Sequence, residues 1–295
     1  MLMLVGTVPF PGLPLVQGHV SYNDALRIGT GLELPRGELM HCTTAMMATT
    51  AVVCEALGCE APYGVTAGCI GDGSGSRLLY RFLIEEAGQL EPDVLTLHYI
   101  VPQTKLMTEA VQTILSWKKR PILIGDAGGM YAVKAAGLAP EFDLFTPDPG
   151  ELAFLSDAEA VHPAYVRHFI SEVDTIAMPR LIKQAYEHKD AAKVLLVKGS
   201  TDYIARDGEI LHVIEEPNIP AMEAIGGTGD TITGAVSALI YAGYDVVRAS
   251  VIAARANRVA GLLCNPTPAT TIGELIDHIP DALRQVLAEE EKSHA

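Results

Sequence analysis

Basic residues are scarce in this sequence, and their scarcity excludes whole classes of partner. The 21 lysines and arginines stand against 36 aspartates and glutamates, which gives a formal net charge of −15 at pH 7. Such an excess repels nucleic acid polymers and anionic membranes. Small anionic ligands are not excluded as partners, because local backbone dipoles can bind an anion within a negatively charged protein. We therefore expect a small-molecule partner.

Long apolar runs, a basic leader and metal-binding patterns are also missing. No stretch approaches the roughly 18 uninterrupted apolar residues of a membrane span, and no lysine or arginine precedes Arg27, as a secretory signal would require. The five cysteines include no C-x-x-C pair, and the nine histidines show no H-x-H or H-E-x-x-H pattern. We expect no zinc site, reduced thiols and a cytoplasmic location.

What the sequence has in quantity is apolar residues. With 49% hydrophobic and 19% charged residues, the chain can bury a large core, which excludes a mostly disordered protein. No Ser/Gly linker, internal repeat or low-complexity tract divides it. We expect a single domain over residues 1–295.

Short β-forming runs alternate with helical patterns from about residue 93 onward. The strand-like runs are "VLTLHYI" (94–100), "PILIG" (121–125), "FDLFT" (142–146) and "KVLLVKG" (193–199). Strand and helix at this spacing predict a parallel sheet covered by helices. Asp207 and Gly208 then stand between two strand-like runs, which predicts a hairpin.

Polar residues follow several of these strands, where ligands gather in an open parallel sheet. Asp126 follows one strand, Asp148 and Glu151 follow the next, and Lys198 with Gly199 ends another. Each aspartate has an alternative role as a helix cap. The pair His98 and Tyr99, also at a strand end, indicates a packed aromatic pair rather than a substrate contact.

The stretch "EAIGGTGDTITG" (223–234) combines glycines with one carboxylate. Gly226, Gly227 and Gly229 let the backbone turn tightly, and a helix predicted from Ile232 onward aims its dipole at an anion above the loop. The carboxylate of Asp230 would repel that anion. Its presence is explained if it removes a proton from a hydroxyl that attacks a phosphate. The alternative is that Asp230 caps the helix and the glycines only pack.

The first 90 residues are less regular. "TTAMMATTAVVCEAL" (43–57) predicts a helix, and "GDGSGSRLLYRFL" (71–83) predicts a glycine-rich loop that opens another. We expect Ser74 or Ser76 to cap this second helix, with Leu78 on its buried face.

Four ordered segments resemble the ribokinase-like superfamily, in the form found in NAD(P)H-hydrate dehydratases. "GGTGDTITG" is similar to the family's "GGTGD-x-L-T-G", and "VLLVKGSTDYIARDGEI", "PILIGDAGGM" and "FTPDPGELAFL" are similar to three earlier family segments. Order and spacing agree over about residues 93–285, whereas residues 1–92 match no dehydratase segment. The resemblance implies a three-layer α/β/α fold with a central, mainly parallel sheet.

The resemblance also implies roles for individual residues. Asp230 would be the catalytic aspartate, and the anion hole would consist of Gly226, Gly227, Thr228 and Gly229. Lys198 and Gly199 would lie near ATP or ADP, and Glu151 near Mg²⁺ and phosphate. Asp126, Asp148 and Asp72 are candidates for the substrate side, Asp72 because "GDGSG" is similar to the "G-D-x-x-G" of sugar kinases.

The implied reaction is ATP- or ADP-dependent dehydration of hydrated NADH or NADPH, in which a hydroxyl is phosphorylated and then eliminated. Position 148 carries Asp, where the dehydratases have His and related vitamin kinases have Asn. A small-molecule kinase acting on a sugar or vitamin-like alcohol is therefore the alternative, and a catalytically inactive nucleotide sensor is a third. Homo-oligomers are common in this superfamily, although the sequence shows no interface.

Overall fold

The computed structural model describes residues 1–39, 41–160 and 177–293. Contacts divide the chain into two compact units. The first unit comprises Met1, Met3–Leu15 and Val65–Val213, and the second comprises Leu2, Val16–Gly64 and Ile214–Ala295. The expectation of a single domain stays a prediction.

Strands and helices alternate from residue 43 to residue 156, whereas several strands or several helices follow one another elsewhere in the described chain. The strands are β1 (Leu2–Val8), β2 (Val16–Tyr22), β3 (Ala25–Ile28), β4 (Leu32–Pro35), β5 (Tyr63–Gly68), β6 (Val94–His98), β7 (Ile122–Asp126), β8 (Leu144–Phe145), β9 (Val194–Val197), β10 (Asp202–Arg206) and β11 (Glu209–Ile214). The helices are α1 (Thr43–Ala56), α2 (Ser74–Glu85), α3 (Thr104–Ser116), α4 (Ala127–Ala135), α5 (Pro149–Ser156), α6 (Met178–Glu187), α7 (Thr228–Tyr241), α8 (Val246–Cys264), α9 (Ile272–Ile276) and α10 (Ile279–Ser293).

The first unit is built on a sheet with the strand order β11-β10-β9-β8-β7-β6-β1-β5. The central strands β6, β7, β8 and β9 pair in parallel, and β10 pairs antiparallel with β9. Every residue of β1, β6 and β9 is buried, as expected for continuous apolar strands covered on both faces. The predicted parallel sheet with flanking helices is confirmed.

The predicted hairpin is also confirmed. Asp207 and Gly208 connect β10 to β11 with φ angles of 54° and 83°. Two consecutive residues with positive φ match the twist of the strands that they join, which is why Asp-Gly is favoured there.

Helix α2 differs from the prediction in two respects. Its N-cap is Gly73, which has a left-handed φ of 72°, so Ser74 is the first helical residue and neither serine is the cap. Leu78 is 36% exposed, whereas Leu79, Phe82 and Leu83 are fully or almost fully buried. The buried stripe is therefore narrower than predicted, because Leu78 lies at its solvent edge.

The second unit combines the antiparallel strands β2, β3 and β4 with helices α1, α7, α8, α9 and α10. Helices α1 and α7 approach closely at Gly234, where an added Cβ would lie 2.5 Å from the carbonyl oxygen of Met46. Thr50 donates its hydroxyl to the carbonyl of Gly234 at 3.1 Å. A glycine is required at this crossing because any side chain would overlap the facing backbone.

Three features of the second unit differ from what the sequence predicted. Helix α7 begins at Thr228 rather than Ile232, so Asp230 lies within its first turn. The segment "TIGELIDHIPDALRQVLAEEE" (271–291) is one amphipathic pattern in the sequence, but it is divided into α9 and α10. The short strands β2, β3 and β4 were missed altogether. No helix in the described part of the chain is long and apolar enough to cross a membrane.

Candidate functional site

Adjacent parallel strands of the first unit bring several candidate residues to one edge of the sheet. His98 ends β6 and lies directly opposite Asp126, the last residue of β7. The loop of Asp148 follows β8, and Lys198 follows β9. Parallel neighbours end at the same edge. Four sequence candidates are thus collected there by topology alone.

Asp126 and Lys198 form a buried ion pair. Lys198 Nζ donates to Asp126 Oδ1 at 2.9 Å and to Oδ2 at 3.0 Å. The Nε2 atom of His98 lies 3.3 Å from Asp126 Oδ2, and the His98 ring packs edge-on against Tyr99, as predicted for an aromatic pair. The side chain of Asp126 is 1% exposed and that of Lys198 is 8% exposed. Burial removes water from both charged groups, and each group compensates in part for the hydration that the other has lost.

Asp148 and Glu151 form a capping box at the start of α5. Asp148 Oδ1 accepts a hydrogen bond from Glu151 N at 2.7 Å, and Glu151 Oε2 accepts one from Asp148 N at 2.8 Å. The hydroxyl of Tyr131 on α4 donates to Glu151 Oε1 at 2.6 Å. The prediction that Asp148 caps a helix is confirmed. Glu151 takes part in the same cap, because its side chain accepts the hydrogen bond from Asp148 N.

Burial raises the pKa of Glu151 from its ordinary 4.5 to about 7. This value also includes the neighbouring charges of Asp126 and Asp148, which raise the pKa, and the Lys198 ammonium and the Tyr131 hydrogen bond, which lower it. Desolvation is the main cause, because a carboxylate loses hydration that its neighbours replace only in part. The carboxyl group therefore changes charge near neutral pH.

A pH dependence of stability follows from this raised pKa. Because the native pKa exceeds the unfolded one, the contribution of Glu151 is fully present below the unfolded pKa and is lost as pH rises through the native pKa. The free energy of unfolding of Glu151→Gln should fall less than that of the wild type between about pH 5 and about pH 8. Urea denaturation at several pH values measures this difference. Parallel curves for the two proteins would show that Glu151 does not titrate in this range.

Lys198 and Gly199 are fixed beside the loop that carries Asp148. The backbone N–H of Lys198 donates to the carbonyl of Pro147 at 2.8 Å. The N–H of Gly199 donates to Asp202 Oδ1 at 2.9 Å. A Cβ at position 199 would lie 3.5 Å from the Pro149 ring, which is ordinary contact. The two predicted nucleotide-binding positions thus lie next to the α5 capping box.

In the second unit, the glycine-rich loop leads straight into the first turn of α7. Gly227 is the N-cap, with a left-handed φ of 103°. The helical bonding begins with Thr231 N, which donates to the carbonyl of Gly227 at 3.0 Å. The amides before Thr231 therefore precede the first helical hydrogen bond, as at any helix start, and their dipoles favour an anion.

Asp230 lies in this first turn and is 8% exposed. Its Oδ2 atom accepts a hydrogen bond from the backbone N–H of Cys42 at 2.7 Å. Cys42 has a φ of 76°, uncommon for a residue other than glycine, and immediately precedes α1. This contact holds one carboxylate oxygen in place across 188 positions of sequence.

The start of α7 is also tied to α8. Thr231 Oγ1 lies 2.6 Å from Asn257 Oδ1 and donates to the carbonyl of Thr228 at 2.7 Å. Asn257 Nδ2 donates to the same carbonyl at 3.2 Å. Buried polar networks of this kind fix one backbone conformation. The loop before Asp230 is therefore held on a rigid helix pair.

The left-handed conformation of Gly227 predicts that a side chain at this position lowers the stability of the protein. A Cβ there would lie 2.9 Å from Ile272 Cγ1 and 3.2 Å from His41 Cα. Gly227→Ala should lower the free energy of unfolding by about 1–2 kcal/mol, because alanine is strained at positive φ. The matched control is Gly226→Ala, whose nearest contact is His41 Cδ2 at 3.4 Å. Chemical denaturation compares the two, and equal losses would contradict the strain argument.

Sequence reasoning missed Tyr131, His41 and Cys42. His41 lies against both Gly226 and Gly227, and its Nδ1 atom contacts Cys42 Sγ. Neither residue carries a motif, and no local signal links positions 41–42 to Asp230. Tyr131 is separated from Glu151 by a strand and a loop. These contacts follow from the tertiary fold alone.

Asp72 lies in the loop before α2. Its Oδ1 atom accepts hydrogen bonds from Ser74 N at 3.1 Å and Ser74 Oγ at 2.7 Å, with Cys69 Sγ at 3.7 Å. These bonds organise the loop before α2 and lower the pKa of Asp72. A role for Asp72 toward a substrate stays a prediction.

Comparison with solved structures identifies the fold. The ADP/ATP-dependent NAD(P)H-hydrate dehydratase of Bacillus subtilis, co-crystallized with ATP/Mg²⁺, matches with a TM-score of 0.58 at 17% identity, over 96% of this chain and 90% of that one. The pyridoxal kinase of Staphylococcus aureus in complex with ADP matches with a TM-score of 0.52 at 13% identity, over 88% and 87%. The fold is the three-layer α/β/α ribokinase-like fold, with a mixed sheet whose central strands are mainly parallel.

Sequence comparison then identifies the family. A family model described as NAD(P)H-hydrate dehydratase matches residues 101–283. An uncharacterized protein of Methanocaldococcus jannaschii is 45% identical over 223 residues, which are 76% of this chain and 91% of that protein. The chain belongs to the NAD(P)H-hydrate dehydratase family. The bifunctional NAD(P)H-hydrate repair enzyme Nnr of Hyperthermus butylicus is 36% identical over 39% of this chain, and this match covers 21% of Nnr's length.

Proposed function

We propose that the chain catalyses the ATP- or ADP-dependent dehydration of hydrated NADH or NADPH. The observation that carries this proposal is Asp230, held in the first turn of α7 directly behind Gly226–Gly229, in a chain of this family. A carboxylate would be unfavourable beside a bound phosphate unless it acts on a proton. The loop and the carboxylate together suit phosphoryl transfer to a hydroxyl.

Asp230 is the proposed general base. It would accept the proton of the substrate hydroxyl as that oxygen attacks the terminal phosphorus, and the leaving group is ADP or AMP. The Cys42 N–H fixes the orientation of the carboxylate. The phosphate group then leaves with the C–O bond electrons as inorganic phosphate while the adjacent ring carbon loses a proton, which restores the double bond of the nicotinamide ring. Orientation and charge stabilisation supply most of the catalysis in reactions of this type.

The anion hole is proposed to consist of backbone amides at Gly226, Gly227, Thr228 and Gly229. These amides precede the first helical hydrogen bond of α7, and the helix dipole adds to their field. The left-handed conformation of Gly227 leads the backbone into the helix, and glycine adopts it without the steric strain of a side chain. Bound ATP or ADP, with Mg²⁺, would supply the phosphoryl group and neutralise its charge.

The capping box is compatible with a proposed magnesium ligand. Both Glu151 oxygens already accept one hydrogen bond, from Tyr131 and from Asp148 N, and each keeps a further lone pair. Oxygen ligands of this kind suit Mg²⁺. We assign Glu151 to Mg²⁺, Lys198 and Gly199 to the nucleotide, and Asp148 to the substrate side. Asp126, 1% exposed, holds Lys198 and is also assigned to the substrate side.

The second candidate is a small-molecule kinase. Asp148 favours it, because its side chain caps α5, and asparagine fills this cap role equally well, whereas histidine is not a preferred cap. Asparagine is what the related vitamin kinases carry at this position, whereas the dehydratases carry histidine. A kinase would use the same base and the same anion hole, and would release the phosphate ester intact.

The test incubates the protein with NADH hydrate, Mg²⁺ and either ATP or ADP, and follows the return of reduced-nicotinamide absorbance. We expect recovery with one of the two nucleotides and none without nucleotide. A panel of sugar and vitamin-like alcohols, assayed for substrate-stimulated ADP release, tests the kinase. A lack of activity in both assays would favour a nucleotide sensor, which predicts that Asp230→Asn alters only nucleotide affinity.

A further inference from the structure

A cavity of about 360 Å³ lies in the first unit, and none of the residues assigned to the proposed reaction lines it. It is lined by the segment that follows β1, by the last residue of β5 and by the start of α2. Cys69 N donates to the carbonyl of Val8 at 2.9 Å, which keeps the ends of β1 and β5 side by side. Small-molecule sites in proteins begin at about this volume.

Backbone rather than side chain forms part of the cavity lining. Gly68 ends β5, and a Cβ there would lie 2.0 Å from the carbonyl oxygen of Phe10. Gly75 lies in the first turn of α2, and a Cβ there would lie 2.3 Å from the carbonyl oxygen of Gly68. No side chain fits at either position. Apolar surface from Leu13, Pro14 and Leu78 completes the wall.

Two arginines supply the charge of this cavity. Arg77 and Arg81 both line it, are both exposed, and stand one helical turn apart on α2. In the described part of the chain neither forms an ion pair within 4 Å, although acidic residues outnumber basic ones by 36 to 21. Like charges four residues apart repel on a helix surface. A bound anion would offset that repulsion.

Asp72, an acidic residue close to Arg77 in sequence, forms its hydrogen bonds outside the cavity. Asp72 does not line the cavity, and its Oδ1 atom accepts hydrogen bonds from Ser74 N and Ser74 Oγ. Its charge lies near Arg77, since the Arg77 guanidinium contributes to the lowered pKa of Asp72. Arg81 lies one turn further from this carboxylate, so the positive charge at the cavity is not cancelled.

We propose that this cavity binds a small organic phosphate, with the phosphate group between Arg77 and Arg81 and the apolar part against Leu13, Pro14 and Leu78. Guanidinium groups match the geometry of phosphate oxygens and donate paired hydrogen bonds to them. An apolar body suits these three side chains, although Ser74 and glycine backbone form the rest of the wall. The site is independent of the proposed reaction, since none of its residues takes part in that mechanism.

The experiment titrates phenyl phosphate into the full chain and follows backbone amide shifts by NMR. We expect saturable shifts at Gly75 and Leu13, with weaker binding of inorganic phosphate, which lacks the apolar part, and of benzoate, which lacks the phosphate. The double variant Arg77→Gln/Arg81→Gln should weaken binding about tenfold or more, because it removes charge-assisted hydrogen bonds. Arg180→Gln is the matched control, because Arg180 is exposed on α6 and does not line the cavity.

Several outcomes would overturn the proposal. They are an absence of saturable shifts at Gly75, equal affinity in the double variant, and benzoate binding as tightly as phenyl phosphate. Shifts confined to the Gly226–Gly229 amides would assign the phosphate to the second unit instead. An unchanged spectrum of the ligand-free double variant shows that it is folded, so lost binding reports on the arginines.

Discussion

Asp230→Asn is expected to lower turnover by a factor of about 10²–10⁴, the usual contribution of a general base. An amide cannot accept the proton of the attacking hydroxyl at neutral pH. The fold should be retained, because the asparagine side-chain oxygen can still accept the hydrogen bond from Cys42 N that now goes to the carboxylate. Steady-state kinetics with NADH hydrate and nucleotide measures the loss.

The control for this substitution is Asp245→Asn. Asp245 is also an acid at a helix start, where it caps α8 by accepting hydrogen bonds from Val247 N and Arg248 N. Asparagine caps as well as aspartate, so stability and turnover should both stay close to wild type. If Asp230→Asn keeps wild-type turnover, Asp230 is not the base and its role is structural.

Lys198→Met is expected to lower the free energy of unfolding by about 3–5 kcal/mol, since it leaves a buried charge without its partner. Asp126 is 1% exposed, and both of its oxygens accept hydrogen bonds from Lys198 Nζ at 2.9 and 3.0 Å. His98 lies 3.3 Å from one of them and can compensate only in part. Urea denaturation at neutral pH gives the difference.

Lys193→Met is the matched control for the ion pair. Lys193 Nζ lies 2.8 Å from Asp143 Oδ1, but the lysine side chain is 53% exposed. A solvent-exposed pair contributes about 1 kcal/mol or less. Adding Asp126→Asn to Lys198→Met should recover most of the lost stability. Equal losses for the two lysine variants would show that Asp126 is not an uncompensated charge.

Much of the first unit could be predicted because its signals are local. The strands at β6, β7 and β9 are continuous apolar runs between turns, and Asp207-Gly208 is a hairpin turn by its own φ preferences. The capping box can be read from the spacing of Asp148 and Glu151. Each feature is decided by residues within a few positions of one another.

Other features depend on contacts between distant segments, which one sequence does not reveal. Strands β2, β3 and β4 have four to seven residues each and are stabilised by pairing with one another. The Asp126–Lys198 pair joins positions 72 apart, and the Cys42–Asp230 contact joins positions 188 apart. Sequence could nominate Asp126, Lys198 and Asp230, but not the neighbours that fix their orientation.

One coupled measurement tests the proposed reaction most directly. Reduced-nicotinamide absorbance and inorganic phosphate are followed together in a single sample that contains protein, NADH hydrate, Mg²⁺ and nucleotide. Phosphorylation followed by elimination predicts that both rise in equal amounts, and that both slow by the same factor in Asp230→Asn. Phosphate release without recovery of absorbance, or recovery without nucleotide consumption, would contradict the account.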